Sequence, residues 1–278
     1  SLQRACEIVA IRRELEHYRE SQLKAVNFVV GSNDVVKTTI KQALVAAERQ
    51  VSVLITGETG TGKDVIAKVI HASGPRANKP FIAINCAAIQ DTMLESELFG
   101  HEAGAYTSAD RKKPGLMEIA DDGVLFLNEI SSMSADIQAK LLTAIETHSF
   151  RRVGGTALIN VDVQVLAASN RNLKELIQKG EFREDLYYRL KVVDLDMPPL
   201  RERKEDIPEL VGFFVRENNA RQGMNVVEVS PQAMEVIQQY SWPGNIRELS
   251  NAIERAMIFC DGMTINLGDL PKDVTTTD

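Results

Sequence analysis

The sequence VSVLIT (residues 51–56) is followed directly by GETGTGKD (residues 57–64) and then by DVIAKVIHA (residues 64–72). The continuous apolar run predicts a buried strand, and the apolar spacing after it predicts a helix. Glycines between a strand and a helix let backbone N–H groups turn toward an anion, and the helix N-terminus adds a favourable dipole. This stretch therefore predicts a P-loop, a turn that binds nucleotide phosphates.

The candidate ATP-binding residues of this turn are Gly57, Glu58, Thr59, Gly60, Thr61, Gly62, Lys63 and Asp64. Lys63 adds a point charge for the β- and γ-phosphates. A P-loop usually ends in Ser or Thr, whose hydroxyl binds Mg²⁺. Asp64 stands at that position, so the usual hydroxyl ligand is missing and Asp64 is itself a candidate metal residue.

Four more apolar runs alternate with helical stretches, namely FIAIN (81–85), GVLFL (123–127), VQVLAAS (163–169) and VVDLD (192–196). Strands separated by helices imply right-handed crossovers and a parallel sheet. The sequence therefore predicts an α/β nucleotide-binding domain from about residue 26 to 197.

The stretch LFLNEI (125–130) is a buried strand with a polar end. Two acidic residues at this place normally supply an Asp for the Mg²⁺ shell and a Glu that activates water. Glu129 is a candidate general base, whereas Asn128 has the shape of Asp without its charge. We weigh two interpretations: hydrolysis is impaired while ATP binding is kept, or water and the phosphates retain the metal.

Beyond the breaker MPPL (197–200) the strand signals stop. Ser230-Pro231 predicts a helix start, and Asn245 with Glu248 three residues later predicts another. Residues 198–271 are therefore predicted to form a small helical domain, with 272–278 as a tail. Residues 1–25 are helix-friendly and read equally well as a linker helix from an upstream domain or as a helix packed on the next domain.

The composition limits the possible functions. The chain has 278 residues, 44% hydrophobic residues, a net charge of −7 and three cysteines. No apolar run approaches the length of a membrane span, and the acidic balance does not suit a chain that mainly grips DNA phosphates. The sparse cysteines are typical of reduced thiols in a core, so we expect a cytoplasmic protein without a membrane partner.

Several further motifs make the interpretation specific. ESELFGHEAGAYTSADRKKPG (95–115), FREDLYYRL (182–190), LRERKEDI (200–207) and WPGNIREL (242–249) follow the P-loop in this order. Together they resemble the central AAA+ domain of the bacterial enhancer-binding proteins, the NtrC-like activators of sigma-54 RNA polymerase. The resemblance covers residues 26–271 and implies a P-loop AAA+ domain with a central parallel sheet, followed by a small α-helical lid subdomain.

The resemblance also implies a homo-oligomeric ring, a hexamer or heptamer, with ATP and Mg²⁺ between neighbouring subunits. Arg183 and Arg189 match the arginines that reach the neighbour's γ-phosphate and stabilise developing charge. The alternative is a local salt bridge with Glu181, Glu184 or Asp185. Turnover of ATP itself is left uncertain by Asn128.

Other site residues follow from matching positions. Arg247 matches the lid arginine that senses nucleotide, and Asn170 matches the sensor that orients water or the γ-phosphate. Asn85 matches the residue that holds the catalytic Glu, although a lone Asn more often caps a loop. Val30 and Gly31 sit where the family packs the adenine. Trp242 is interpreted as an anchor of the lid core.

Residues 104–109, GAYTSA, occupy the place of the family's GAFTGA loop, which engages the sigma factor. The candidate contact residues are Tyr106, Thr107 and Ser108. Tyr106 replaces Phe and adds a hydroxyl, and Ser108 replaces Gly, where a Cβ costs on the order of 1 kcal/mol if φ is positive. The alternative is a surface loop that no longer contacts the sigma factor.

Residues 149–161 predict a hairpin through Gly154-Gly155. Its Arg151 and Arg152 are expected either to touch nucleic acid or an acidic partner, or simply to be solvated. In the family this hairpin lies beside the sigma-contacting loop.

Two functions of different class remain open at this point. One is an ATPase ring that remodels sigma-54 RNA polymerase holoenzyme through the 104–109 loop. The other is a nucleotide-binding regulatory or oligomerisation module with little hydrolysis and no sigma-54 engagement. We expect DNA contact only through a domain absent from this chain, since the chain begins at Ser1 without Met and reads as the central part of a longer regulator.

Overall fold

The computed structural model describes residues 28–106, 109 and 111–275. These residues form two compact units. The first unit contains Ile40–Thr56 and Lys63–Asp196, and the second contains Val29–Thr39, Gly57–Gly62 and the chain from Met197 onward. The helix expected over residues 1–25 lies outside the described residues, as do Thr107, Ser108 and the end of the predicted tail.

The described strands of the first unit are, in chain order, β1 (Val53–Thr56), β2 (Phe81–Asn85), β3 (Val124–Asn128), β4 (Ser149–Phe150), β5 (Ile159–Asn160), β6 (Gln164–Ser169) and β7 (Val193–Asp196). Five of them pair in parallel in the order β2-β3-β6-β1-β7. β4 and β5 pair antiparallel as the predicted hairpin. The prediction of a parallel α/β sheet is confirmed.

Helix α1 (Asp34–Arg49) precedes β1, and the helices between the strands are α2 (Lys63–Ser73), α3 (Asp91–Phe99), α4 (Leu116–Ile119), α5 (Ala135–Thr147), α6 (Leu173–Gln178) and α7 (Glu184–Leu190). Every residue of the central strand β6 is buried, as continuous apolar runs of a parallel sheet require. The core of this unit includes Leu98, Leu125, Leu127 and Leu141, all fully buried.

The second unit is helical. Its described elements are α8 (Ile207–Gln222), β8 (Glu228–Val229), α9 (Pro231–Gln239), α10 (Asn245–Phe259), β9 (Thr264–Ile265) and α11 (Lys272–Thr275). Trp242 is fully buried in its core, and its indole nitrogen donates to the Ile237 carbonyl at 2.7 Å. The interpretation of Trp242 as a core anchor is therefore confirmed.

Both predicted helix starts are correct, but the second helix is capped by a different contact. Ser230 caps α9 by accepting from the Ala233 N–H, with Pro231 at the first helical position. Asn245 does not cap α10, because its side chain bonds elsewhere. The Gly244 N–H instead donates to the Glu248 carboxylate at 2.7 Å.

Within the described residues, no helix has the length and apolar content that a membrane crossing requires.

Candidate functional site

The glycines of the P-loop adopt backbone conformations that other residues rarely take. Gly57, Gly60 and Gly62 have φ angles of 144°, 81° and 102°. A Cβ on Gly60 would lie 2.3 Å from the Gly244 carbonyl oxygen. The loop shape and its packing in the second unit both therefore require glycine.

Glu58 of this loop is held by two side chains of the second unit. The Arg201 guanidinium donates to both of its carboxylate oxygens, at 2.6 and 2.8 Å, and the Asn245 amide donates at 3.1 Å. The bonds from Arg201 and then Asn245 lower the pKa of Glu58 from its usual 4.5 to about 2. Glu58 is therefore ionised and fixed at neutral pH.

The backbone of the loop is held from the same side. Asn245 also donates to the Thr59 carbonyl at 3.0 Å, and Arg203 donates to the Thr61 carbonyl at 2.7 Å. The Arg203 side chain is buried, and burial lowers the pKa of its guanidinium. Two carbonyls of the loop are therefore already used as acceptors within the second unit.

The residues expected near the adenine and at the lid sensor belong to this unit as well. Gly31 has a φ of 74°, and a Cβ there would lie 2.4 Å from the Asp206 carboxylate. Asp206 accepts the Ser32 and Asn33 N–H groups at 2.7 and 2.8 Å. Val30 is exposed, and Arg247 is exposed in the first turn of α10.

The first unit brings together the candidate metal residues and the candidate base. The Asn128 amide nitrogen donates to the Asp64 carboxylate at 2.9 Å, and its oxygen accepts the Glu129 N–H at 2.9 Å. The second bond fixes which way the amide points, so a hydrogen-bond donor faces Asp64. Glu129 has a φ of 55°, in the left-handed region that non-glycine residues rarely adopt.

Asn85, Asn170 and Lys63 end or follow neighbouring structural elements. Asn85 lies beside Asn128 in the register of β2 and β3, and its side chain accepts the Ala87 N–H at 2.9 Å. This bond closes a local turn, the commoner role weighed for a lone Asn. Asn170 follows β6 directly and is exposed, while Lys63 begins α2 and is buried.

The two candidate arginine fingers have different surroundings. Arg183 makes two bonds to the Asp185 carboxylate, at 3.0 and 2.7 Å, so the local salt bridge considered above is present. Arg189 donates to the Ile145 carbonyl at 3.3 Å and lines a cavity of about 220 Å³ with His148.

The described part of the 104–109 loop is closed at its base. Gly104 N–H donates to the Ala109 carbonyl at 2.8 Å, and Ala109 N–H donates to the Tyr106 carbonyl at 2.9 Å. The Tyr106 ring is 41% exposed. The other two expected contact residues, Thr107 and Ser108, lie outside the described residues.

The two hairpin arginines differ from each other, because Arg151 is exposed, as expected for a solvated side chain, and Arg152 is largely covered. Arg152 pairs with Glu102 at 2.8 Å and with Glu118. Its side chain is only 13% exposed. Because both ion pairs reach residues on either side of the 104–109 loop, Arg152 connects the hairpin to Glu102 and Glu118. Arg151 bonds the Thr156 carbonyl within the hairpin at 3.1 Å.

Three residues in contact with the P-loop were missed from the sequence, namely Arg201, Arg203 and Asn245. The first two lie in LRERKEDI and the third in WPGNIREL. Both motifs carried the family resemblance, and the polar side chains within them were the available signal. The distances in sequence, 142 to 187 residues, hid the pairing.

Comparison with known proteins places this geometry in a family. The model for the sigma-54 interaction domain matches residues 29–196, and the model for the AAA+ ATPase lid domain matches residues 201–278. This chain belongs to the sigma-54 interaction domain family. Its fold is accordingly the AAA+ sheet followed by the family's helical lid.

Similar proteins include the regulatory protein AtoC of Escherichia coli K12, 42% identical over 98% of this chain and 60% of AtoC. The crystal structure of NtrX from Brucella abortus with ADP has a TM-score of 0.83 and 36% identity, over 96% of this chain and 60% of that one. The structure of the same protein with ATP has a TM-score of 0.81 and 35% identity, over 98% and 62%. This sigma-54 interaction domain chain thus spans about 60% of the length of these relatives.

Proposed function

We propose that this chain binds and hydrolyses ATP and uses the cycle to remodel the sigma-54 RNA polymerase holoenzyme. The observation that carries the proposal is the contact of Asp64, directly after a P-loop, with Asn128, whose amide oxygen also bonds the Glu129 N–H, in a chain of the sigma-54 interaction domain family. The NtrX crystal structures with ADP and ATP support nucleotide as the ligand.

In this proposal the amides of Gly57–Gly62 and the Lys63 ammonium bind the phosphates. Positive charge and fixed N–H groups stabilise the charge that develops during phosphoryl transfer. Val30 and Gly31 contact the adenine, and Arg247 and Asn170 report on the γ-phosphate. Glu129 orients and polarises the attacking water, and Asn85 restrains Glu129 before hydrolysis.

Mg²⁺ would neutralise phosphate charge, and Asp64 offers it an oxygen ligand. Asn128 fits the metal less well, because its amide nitrogen faces Asp64 and its oxygen already accepts a backbone N–H. Among the described residues, no group of three or more His, Cys, Asp or Glu side chains forms a metal site. We therefore propose that Asp64 and the phosphates hold the ion, and that Asn128 weakens hydrolysis.

The proposal includes a homo-oligomeric ring in which one subunit completes its neighbour's site. Arg189 is a better candidate for this role than Arg183, since its hydrogen bond at 3.3 Å goes to a backbone carbonyl, which carries no opposite charge. Arg183 would first have to leave the Asp185 carboxylate. Loss of the γ-phosphate then releases Glu129, and the loop bearing Tyr106, Thr107 and Ser108 changes its contact with sigma-54.

The second candidate is a nucleotide-binding oligomerisation module with little turnover and no sigma-54 contact. The Asn128–Asp64 bond favours it, because this bond places a donor where two oxygens would share a cation. Such a chain would use ATP to set its assembly state.

Two measurements on the same preparation separate these functions. The first is the ATPase rate per subunit against protein concentration, which rises with concentration when catalysis occurs in trans. The second is co-migration with purified sigma-54 in the presence of an ATP transition-state analogue. A ring that assembles but neither hydrolyses ATP nor retains sigma-54 contradicts the first proposal and supports the second.

A further inference from the structure

The hydroxyl of Tyr106 lies against a buried polar pair outside the loop. Its oxygen is 3.3 Å from Ser96 Oγ and 3.4 Å from His101 Nδ1. Ser96 Oγ and His101 Nδ1 are themselves 2.7 Å apart. The Tyr106 and His101 rings also meet edge to face, with centroids 5.1 Å apart.

Both partners are held firmly in the first unit. Ser96 lies on α3, and His101 exchanges backbone hydrogen bonds with Lys113 in both directions, at 3.0 and 2.9 Å. Ser96 and His101 are 5% and 7% exposed. Because these two side chains are fixed, they form a rigid hydrogen-bonding site for the Tyr106 hydroxyl.

The donors and acceptors of the three groups form a chain. Ser96 Oγ and His101 Nδ1 share one short hydrogen bond whose direction follows the imidazole tautomer, and in either direction Ser96 Oγ keeps a lone pair that can accept from the Tyr106 hydroxyl. The Tyr106 contacts, at 3.3 and 3.4 Å, are longer than the usual O–H···O distance. The Tyr106 hydroxyl is therefore bound more weakly than Ser96 and His101 bind each other, so it can leave them without disrupting their bond.

A phenylalanine at position 106 would keep the ring contact with His101 and lose the hydroxyl. The described loop residues also make the backbone bonds at the base of the loop. Ala105 packs near Gly154, since a Cβ added to Gly154 would lie 2.9 Å from Ala105 Cβ. The Tyr106 hydroxyl is thus a polar side-chain link between the described loop residues and α3.

We propose that Ser96 and His101 form a latch for the Tyr106 hydroxyl, which holds Tyr106 against α3 and sets the equilibrium for its release. The latch rests on the proposed function and deepens it, because release of Tyr106 would free this aromatic side chain to contact sigma-54. Ser96 and His101 are positioning residues, because they act on the loop through Tyr106.

Hydrogen exchange of the isolated chain tests the latch without any sigma factor. The amides of Gly104 and Ala109 report opening of the loop, since both are bonded within it. Tyr106→Phe should raise their exchange about two- to tenfold, the range expected for loss of one net hydrogen bond. Ser96→Ala should have a similar effect, and the double variant should add little to either single change.

Tyr188→Phe is the matched control, because Tyr188 is 66% exposed and loses the same hydroxyl away from the loop. It should leave exchange at Gly104 and Ala109 unchanged. Exchange in Tyr106→Phe equal to that of the parent chain would overturn the latch, as would fully additive effects of the two single changes.

A second arm separates the latch from the proposed function. Ser96→Ala keeps the whole Tyr106 side chain, so its affinity for purified sigma-54 should rise by the same factor as the loop exchange. Faster exchange with no sigma-54 binding by either protein supports the latch and contradicts the proposed function. Faster exchange with unchanged sigma-54 affinity overturns the role of the latch in engagement.

Discussion

Asn128 joins Asp64 to the backbone of Glu129 through one amide, with both bonds at 2.9 Å. Replacing it by Asp would remove the donor and leave two carboxylates in contact. We expect Asn128→Asp to lose about 1–3 kcal/mol of unfolding free energy in EDTA. Mg²⁺ should restore this stability, because an ion bound only by the folded state raises the melting temperature.

Asn160→Asp is the control for this charge change, since Asn160 is exposed on β5. Its melting temperature should respond to Mg²⁺ as the parent chain does. The same variants tested for ATPase report the proposed impairment, and Asn128→Asp should be the faster enzyme. Identical Mg²⁺ responses and identical turnover in Asn128→Asp and the parent would contradict both expectations.

Glu58 makes a contribution to the free energy of unfolding that depends on pH in a known direction. Its pKa is lowered to about 2 by Arg201 and Asn245, so its ionisation stabilises the folded state fully above the usual pKa of 4.5. That contribution is lost as pH falls from 4.5 toward 2. Urea unfolding at successive pH values should therefore show the largest difference between Glu58→Gln and the parent near neutral pH.

The difference should shrink steadily below pH 4.5. Arg201→Ala serves as the background control, since Glu58→Gln should then change stability less at every pH, with only the Asn245 bond to Glu58 remaining. A difference that is constant between pH 7 and acid conditions would show that the Glu58–Arg201 pair does not act through ionisation.

At the residue scale, local sequence predicted backbone positions better than it predicted side-chain partners. The glycines of the P-loop and the acidic residue Glu129 followed from local order along the chain. The roles of Asn245 and Arg152 did not, because their partners lie far away in sequence. Asn245 was expected to cap its own helix, yet its amide reaches Glu58 and Thr59.

The hairpin β4–β5 and the loop beside it show how one element supports another. Gly154 and Gly180 both have a φ of 73°, but only Gly154 faces a neighbour, with an added Cβ 2.9 Å from Ala105 Cβ. Gly180→Ala should cost about 1 kcal/mol for the backbone conformation alone. Gly154→Ala should cost about 2–3 kcal/mol, because the contact adds overpacking.

Urea unfolding of the two variants measures this difference, and Gly180→Ala is its internal control. Gly154→Ala should also raise hydrogen exchange at Gly104 and Ala109, which Gly180→Ala should leave unchanged. Equal destabilisation by both changes would show that the hairpin does not press against the loop.

The elements themselves were largely predictable. Five continuous apolar runs became the five strands of the parallel sheet because both faces of such a sheet are buried. The Ser230-Pro231 start and the hairpin turn followed from residues that favour one backbone conformation. The short parallel pair β8–β9 was not predicted, since two-residue strands leave no periodic pattern.

At the scale of the whole molecule, trans catalysis makes a prediction for mixtures. Lys63→Ala should abolish phosphate binding in its own site, and Arg189→Ala should abolish the contribution to a neighbour. Each variant alone should be inactive in the proposed ring. In an equal mixture about a quarter of head-to-tail interfaces combine the two intact halves, so part of the ATPase activity should return.

Lys68→Ala is the control for Lys63→Ala in these mixtures, because Lys68 is exposed on the same helix α2 and lies outside the proposed site. Its mixture with Arg189→Ala should show activity in proportion to its share. If both variants assemble but their mixture recovers no ATPase activity, Arg189 does not act in trans.

The position of Trp242 gives the molecule a built-in optical probe. It is the single tryptophan of the sequence and lies in the core of the second unit. Its fluorescence therefore follows the melting of the helical unit alone, whereas far-ultraviolet circular dichroism follows helices in both units. Two melting curves recorded on one unlabelled sample assign each transition to its unit, and show directly which unit a bound nucleotide stabilises.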